Sequence, residues 1–386
     1  MTTLKDIIVY AFFGVLFVMM LSFDARTNIP EQTPQYTQTP TANMPPISTT
    51  TISIINDVVN TETTKDIKET IKENIETMLN IPPQESTPPQ TTTIQQTPTP
   101  QTATIPFNEI NTSARKALVN ILCTTKSGGL LNPISGSGII IDPKGIILTN
   151  AHVAQYFLLK DYYVPDYITC IIRIGSPAKP AYTAKPLYIS ESWIYENAED
   201  ITAQEPLGTG QYDYALIGIT GTISGEPITN PIPYVDISVT PNLEVGAPIF
   251  IGGYPAGFAG GITVQKDLNI TSTLGVIDDV FTFIEQTIDL ITVKGSIVSQ
   301  HGVSGGAVID NKGDLIAIVV TSTTDTNTSD RVLGAITADY IKRDFKIQTG
   351  TSLDTFLQYD VLGTAESFWT TLAPPLIKAL ETVLDK

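Results

Sequence analysis

The chain runs to 386 residues, carries a formal net charge of −17 and gives only 16% of its positions to Asp, Glu, Lys and Arg. A surface this acidic repels phosphate backbones, which argues against nucleic acid as a partner. Its two cysteines, Cys123 and Cys170, stand without a Cys-x-x-Cys pair or Cys/His cluster, which argues against a zinc or iron–sulfur centre. Length alone would admit two or three domains, but the composition divides into a tether and one large folded unit.

Residues 7–23 form an apolar run broken only by Gly14 and Ser22. That is near the lower limit for a membrane span and long for the core of a signal peptide. The following Ser22-Phe23-Asp24-Ala25-Arg26 lacks a small-x-small cleavage site, so 1–26 reads as an uncleaved signal anchor in preference to a removed signal peptide. Lys5 and the free amine favour a cytoplasmic start, and either reading exports the bulk of the chain. From 27 to 105 the composition turns to Pro, Thr and Gln, as in Thr97-Pro98-Thr99-Pro100. Such a segment buries too little apolar surface to offset its ordering entropy and reads as an extended stalk. One helix is expected inside it at 63–80, capped by Thr63 with Asp66, faced by Ile67, Ile71, Ile75 and Met78, and stopped by Pro82-Pro83.

Between 106 and 347 short apolar stretches alternate with turn signals, the pattern of an all-β domain. Strands are expected at 118–123, 137–141, 145–149, 167–174, 214–219, 248–252, 269–276, 290–293, 307–310 and 315–321, with Asp142-Pro143-Lys144 turning a hairpin. No strand–helix alternation recurs, which argues against a Rossmann or α/β-hydrolase sheet. Spacing cannot fix the Cβ geometry of Cys123 and Cys170, so two buried free thiols are favoured over a bridge. The tail, 348–386, is expected to form an amphipathic helix from Leu353 to Leu372, interrupted by Pro374-Pro375, then a second at 376–384. Packing against the β domain is its default role, with a membrane or second subunit as the alternative.

Only two histidines occur, His152 and His301. Histidine is the side chain that titrates near neutrality unperturbed, so the choice of a general base is nearly forced. Ser304 lies in Gly302-Val303-Ser304-Gly305-Gly306 between two strands. Glycines there permit a tight turn that exposes Oγ and gathers backbone N–H groups, those of Gly302 and Ser304, around a developing oxyanion. His152, in Thr149-Asn150-Ala151-His152-Val153, follows a strand and precedes a helical turn at 153–158. His301, three residues before Ser304 in the same turn, fits the lining of a substrate cleft better than the role of base. Asp213 enters an apolar strand in Asp213-Tyr214-Ala215-Leu216-Ile217, where a carboxylate is costly without a partner. It is the best third member, orienting the imidazole.

With these segments and Gly136-Ser137-Gly138-Ile139-Ile140-Ile141, the region from about 110 to 344 resembles the trypsin-like (chymotrypsin-fold) serine peptidases, closest to the HtrA/Deg group. The resemblance implies two six-stranded antiparallel β-barrels with the site between them. His152 is then general base, Asp213 its orienter, Ser304 the nucleophile, and the Gly302 and Ser304 amides the oxyanion hole. No metal or cofactor is implied, and the substrates are polypeptides. Three departures stand out. Val303 replaces the family's usual Asn or Asp, which removes the ion pair of zymogen activation and could loosen the oxyanion turn. No PDZ domain follows the peptidase region. The insert at 156–211 is long and suits a specificity loop.

Alignment to the family puts Val298 at the base of the primary pocket, with Val319, Val320 and Thr321 near its wall, which suggests apolar or small side chains over Lys or Arg. The alternative from another class is a catalytically silent binding or scaffold module that keeps the fold. An esterase fits less well, because the β-rich pattern and motif order are not those of an α/β-hydrolase.

Overall fold

The structure is a computed structural model and describes residues 105–126, 131–203, 208–256, 261–283, 286–295, 298, 301–323 and 331–386. The expected signal anchor at 1–26 and the helix at 63–80 lie outside the described residues, as does all of the stalk except residue 105. Among the described residues no helix is long and apolar enough to cross a membrane.

Helix α1 (Phe107–Ala117) leads into β1 (Leu118–Thr125), β2 (Ile134–Asp142) and β3 (Ile146–Thr149), then α2 (Ala151–Leu158), β4 (Ile168–Ile174) and β5 (Lys179–Ile189). Helix α3 (Glu191–Asn197), a 3-10 turn (Ala198–Thr202) and β6 (Ala215–Thr222) follow. Strands β1 to β6 close into a barrel in the order β1-β2-β3-β6-β5-β4. Its β1 and β3 are buried over nearly their whole length. The hairpin expected around Asp142 is present. Asp142 Oδ1 accepts the Lys144 N–H at 2.8 Å, a carboxylate closing its own turn.

Strands β7 (Pro248–Gly253), β8 (Thr271–Val276), β9 (Asp279–Phe281), β10 (Leu290–Lys294), β11 (Ala307–Ile309), β12 (Leu315–Ser322) and β13 (Val332–Thr337) build the second layer, with α4 (Gly261–Lys266) before β8. They form a seven-stranded sheet, β8-β7-β11-β12-β13-β10-β9, in place of the expected second closed six-stranded barrel. The physical reason is a bend. The two edge strands, β8 and β9, are consecutive pieces of one run broken at Ile277-Asp278. There the Ile277 N–H bonds Ala247 O on one side and the Asp278 N–H bonds Thr292 O on the other. The sheet returns on itself through the chain, not through a β8–β9 ladder.

Cys123 and Cys170 sit directly opposite each other in the β1–β4 ladder and form a disulfide, with Cα atoms 4.0 Å apart. The free-thiol expectation is therefore corrected. Strand register, invisible to residue spacing, brings the two together.

The C-terminal region is helical: α5 (Ala338–Thr349), α6 (Leu353–Phe356), α7 (Val361–Thr371) and α8 (Ala373–Leu384). Helix α5 begins under a Thr337 cap that accepts the Tyr340 N–H at 3.1 Å and ends at Gly350 in the left-handed region. It runs across the expected domain boundary at 347. The break expected at Pro374-Pro375 falls at Leu372, between α7 and α8, and the two prolines lie in the first turn of α8, where an absent N–H costs nothing. Ala373, Leu376, Leu380 and Leu384 give α8 one buried face, set against α3 and the 3-10 turn, while α7 covers β5 and β6. The tail packs on the β domain, and the domain is all-β only in its core.

Candidate active site

Strand β3 delivers Thr149 to the start of α2, and His152 stands in that helix's first turn. The cap residue Asn150 spends its side-chain amide elsewhere: Nδ2 donates to the Asp213 carbonyl at 2.9 Å, tying this helix end to the entrance of β6. Asp213 is 4% exposed. Its Oδ2 lies 2.7 Å from His152 Nδ1 and its Oδ1 accepts the His152 backbone N–H at 3.0 Å. An ionised carboxylate only accepts, so this pair fixes the proton on Nδ1 and leaves Nε2 as the basic nitrogen.

The Ser304 turn belongs to the second sheet but is held by the first barrel. Ser137 of β2 donates its N–H to Ser304 O at 2.7 Å and its hydroxyl to Gly302 O at 2.8 Å. The same hydroxyl accepts the Tyr254 N–H at 2.9 Å, and Ser137 O accepts Thr149 Oγ1 at 2.7 Å. Glycine is required at two positions here. Gly302 has φ +91° and Gly305 φ +81°, and a Cβ on Gly305 would fall 2.1 Å from Ser137 O. Val303 is buried in the second core, and its carbonyl accepts the Gly306 N–H at 2.7 Å. The apolar side chain is thus an anchor for the turn.

Among the described residues the N–H groups of Gly302 and Ser304 donate to no protein acceptor. Two unpaired amides in a braced turn are what a developing oxyanion requires. Ser304 Oγ makes no hydrogen bond to the imidazole, a common state for an unliganded site. His152, Asp213, His301, Gly302 and Ser304 all line one cleft of about 1500 Å³.

Residues 136–318 match the profile of the trypsin-like peptidase domain family. This region is a trypsin-like peptidase domain. Among solved structures, the active form of the Rv3671c protease from M. tuberculosis aligns at 18% identity and TM-score 0.39, covering 66% of this chain and 94% of that one. The inactive form of the same protein, carrying a serine-to-alanine replacement, aligns at 18% identity and TM-score 0.38, covering 64% and 96%. No match was found among curated proteins.

The peptidase domain's cleft also takes residues that motif reading did not single out. Val320 and Thr321 both line it, the register of β12 shifting between Val319 and Thr321, but Val298 and Val319 do not; those two are buried in the second core. Phe281, Leu290 and Thr292 of the same sheet line it too, as does Phe283 just past β9. From the long insert come Trp193, Glu196, Asn197 and Asp200, with the Trp193 ring centroid 6.4 Å from that of His152. The available signal was local: Ser190 caps α3 by accepting the Trp193 N–H at 3.3 Å, the pattern of a helix start inside a loop-like sequence.

Proposed function

We propose that the chain is a serine endopeptidase acting on polypeptides, with Ser304 as nucleophile, His152 as general base and Asp213 as orienter. The observation that carries this reading is the His152–Asp213 pair facing, across one cleft, a serine flanked by two unpaired amides. In the reaction, Nε2 of His152 takes the Ser304 proton as Oγ bonds to the scissile carbonyl carbon. The tetrahedral oxyanion rests on the Gly302 and Ser304 amides; the imidazolium returns its proton to the leaving amine as the C–N bond breaks. Water, activated by the same imidazole, then hydrolyses the acyl-enzyme.

The wall formed by Val320, Thr321, Phe281 and Leu290 supports a preference for apolar or small side chains over basic ones. The motif wording supports a place near the HtrA/Deg group. Export, with a tether at 1–26 and a stalk to 105, is part of the proposal, and the disulfide supports an oxidising compartment.

A fluorophosphonate probe tests the reading. Wild-type protein is expected to label stoichiometrically, and Ser304→Ala to label not at all while keeping its circular-dichroism spectrum. Undiminished labelling of the alanine variant contradicts Ser304 as nucleophile, and no labelling of the wild type favours the silent-scaffold alternative.

A further inference from the structure

The backbone entering Asp213 is held in a conformation that its side chain disfavours. Tyr212 has φ +62°, a region bulky residues keep only where their surroundings over-determine it. The turn closes on itself through the Asp213 N–H to Gly210 O at 3.2 Å and the Tyr214 N–H to Tyr212 O at 2.8 Å, and one helix braces it from outside. Tyr340 of α5 is 2% exposed, and its hydroxyl accepts the Tyr212 N–H at 3.0 Å. One turn further on, Asp344 accepts the hydroxyl of fully buried Tyr214 at 2.7 Å. The residues on either side of Asp213 are therefore both fixed to α5.

This matters because the carboxylate has little else to aim it. Among the described residues, Asp213 Oδ1 and Oδ2 receive only the N–H and Nδ1–H of His152 itself. No third side chain sets the angle of the carboxylate, so the main chain must. The Tyr340 ring also packs against Phe283 of the cleft wall with centroids 5.0 Å apart. A single buried tyrosine touches both the approach to Asp213 and a residue that lines the cleft.

We propose that Tyr340 is a positioning residue for catalysis, holding Tyr212 in its left-handed conformation so that Asp213 meets His152. The inference rests on the serine-peptidase reading. Without the Tyr340 hydroxyl, Tyr212 relaxes toward an ordinary φ, the following peptide turns, and the carboxylate loses its alignment with Nδ1.

Tyr340→Phe keeps the ring and its packing and removes only the acceptor. The expected result is a fall in kcat of about tenfold with KM within about twofold of wild type, a misalignment effect. The far-downfield proton resonance of His152 Nδ1–H should weaken with it; the chain has two histidines, so His301→Gln assigns the signal. Glycine takes positive φ freely, so Tyr212→Gly in the Tyr340→Phe background is expected to recover at least about threefold of the loss. Tyr188→Phe, which removes a 2.9 Å bond to Gln348 in the same buried cluster, should leave both kcat and the resonance at wild-type values. Wild-type kcat and resonance in Tyr340→Phe, an equal fall in Tyr188→Phe, or no recovery with Tyr212→Gly would each overturn the proposal. Turnover that survives Ser304→Ala removes the peptidase reading itself, a different result from an active enzyme indifferent to Tyr340.

Discussion

Asp213 is placed by its neighbours in sequence and used by a residue far from it. Its own carboxylate meets only His152, while Tyr212 and Tyr214 anchor it to α5. The anchor at Asp344 has a thermodynamic consequence. Burial raises the Asp344 carboxyl above its ordinary value, against the pull of the Tyr214 and Gln348 hydrogen bonds. The folded state therefore holds this proton to higher pH than the unfolded chain does, and between the two pKa values stability falls as pH rises. Asp344→Asn keeps an oxygen to accept from Tyr214 and does not titrate. Its melting temperature, relative to wild type, should rise as pH is raised from about 4, the unfolded Asp value, to 7. A difference that stays constant across that range would show that Asp344 does not titrate differently on folding.

At the scale of elements, the disulfide joins β1 to β4 across a separation of 47 residues. Closing a loop of that size in the unfolded chain is worth about 2–4 kcal/mol. Replacing both cysteines with alanine should lower the denaturation free energy by that amount, measured by chemical unfolding of the oxidised protein and the double variant. Equal stability would contradict it. Neither the bond nor its register could be read from the sequence, since pairing Cys123 with Cys170 depends on how two strands align. Strands such as β2, β3 and β12 were legible because Ile, Val and Gly alternate with turn residues there. Strand β5 was not: Lys179, Pro180, Lys185 and Pro186 give it a half-exposed, loop-like composition. Strand β13 and helix α5 were missed at the point where the chain changes period from two to 3.6. Motifs and the scarcity of histidine singled out His152, Asp213 and Ser304, which the fold gathers in one cleft. Trp193 and Phe283 were not, because only the assembled fold carries them to the cleft.

For the molecule as a whole, the site depends on pieces from every part of the peptidase domain and from beyond it. Barrel residue Ser137 braces the Ser304 turn of the second sheet. Helix α5, outside the 136–318 family match, anchors the residues flanking Asp213, and α8 backs the insert that carries Trp193 into the cleft. The central claim is that His152 and Ser304, contributed by different layers, work as one unit. The direct measurement compares the residual hydrolysis rate of Ser304→Ala, His152→Ala and the double variant on one peptide substrate. Groups that act together lose their contribution once, so the double variant should be no slower than the slower single variant. Losses that multiply would mean that the two residues contribute independently, which contradicts a single catalytic unit spanning both layers.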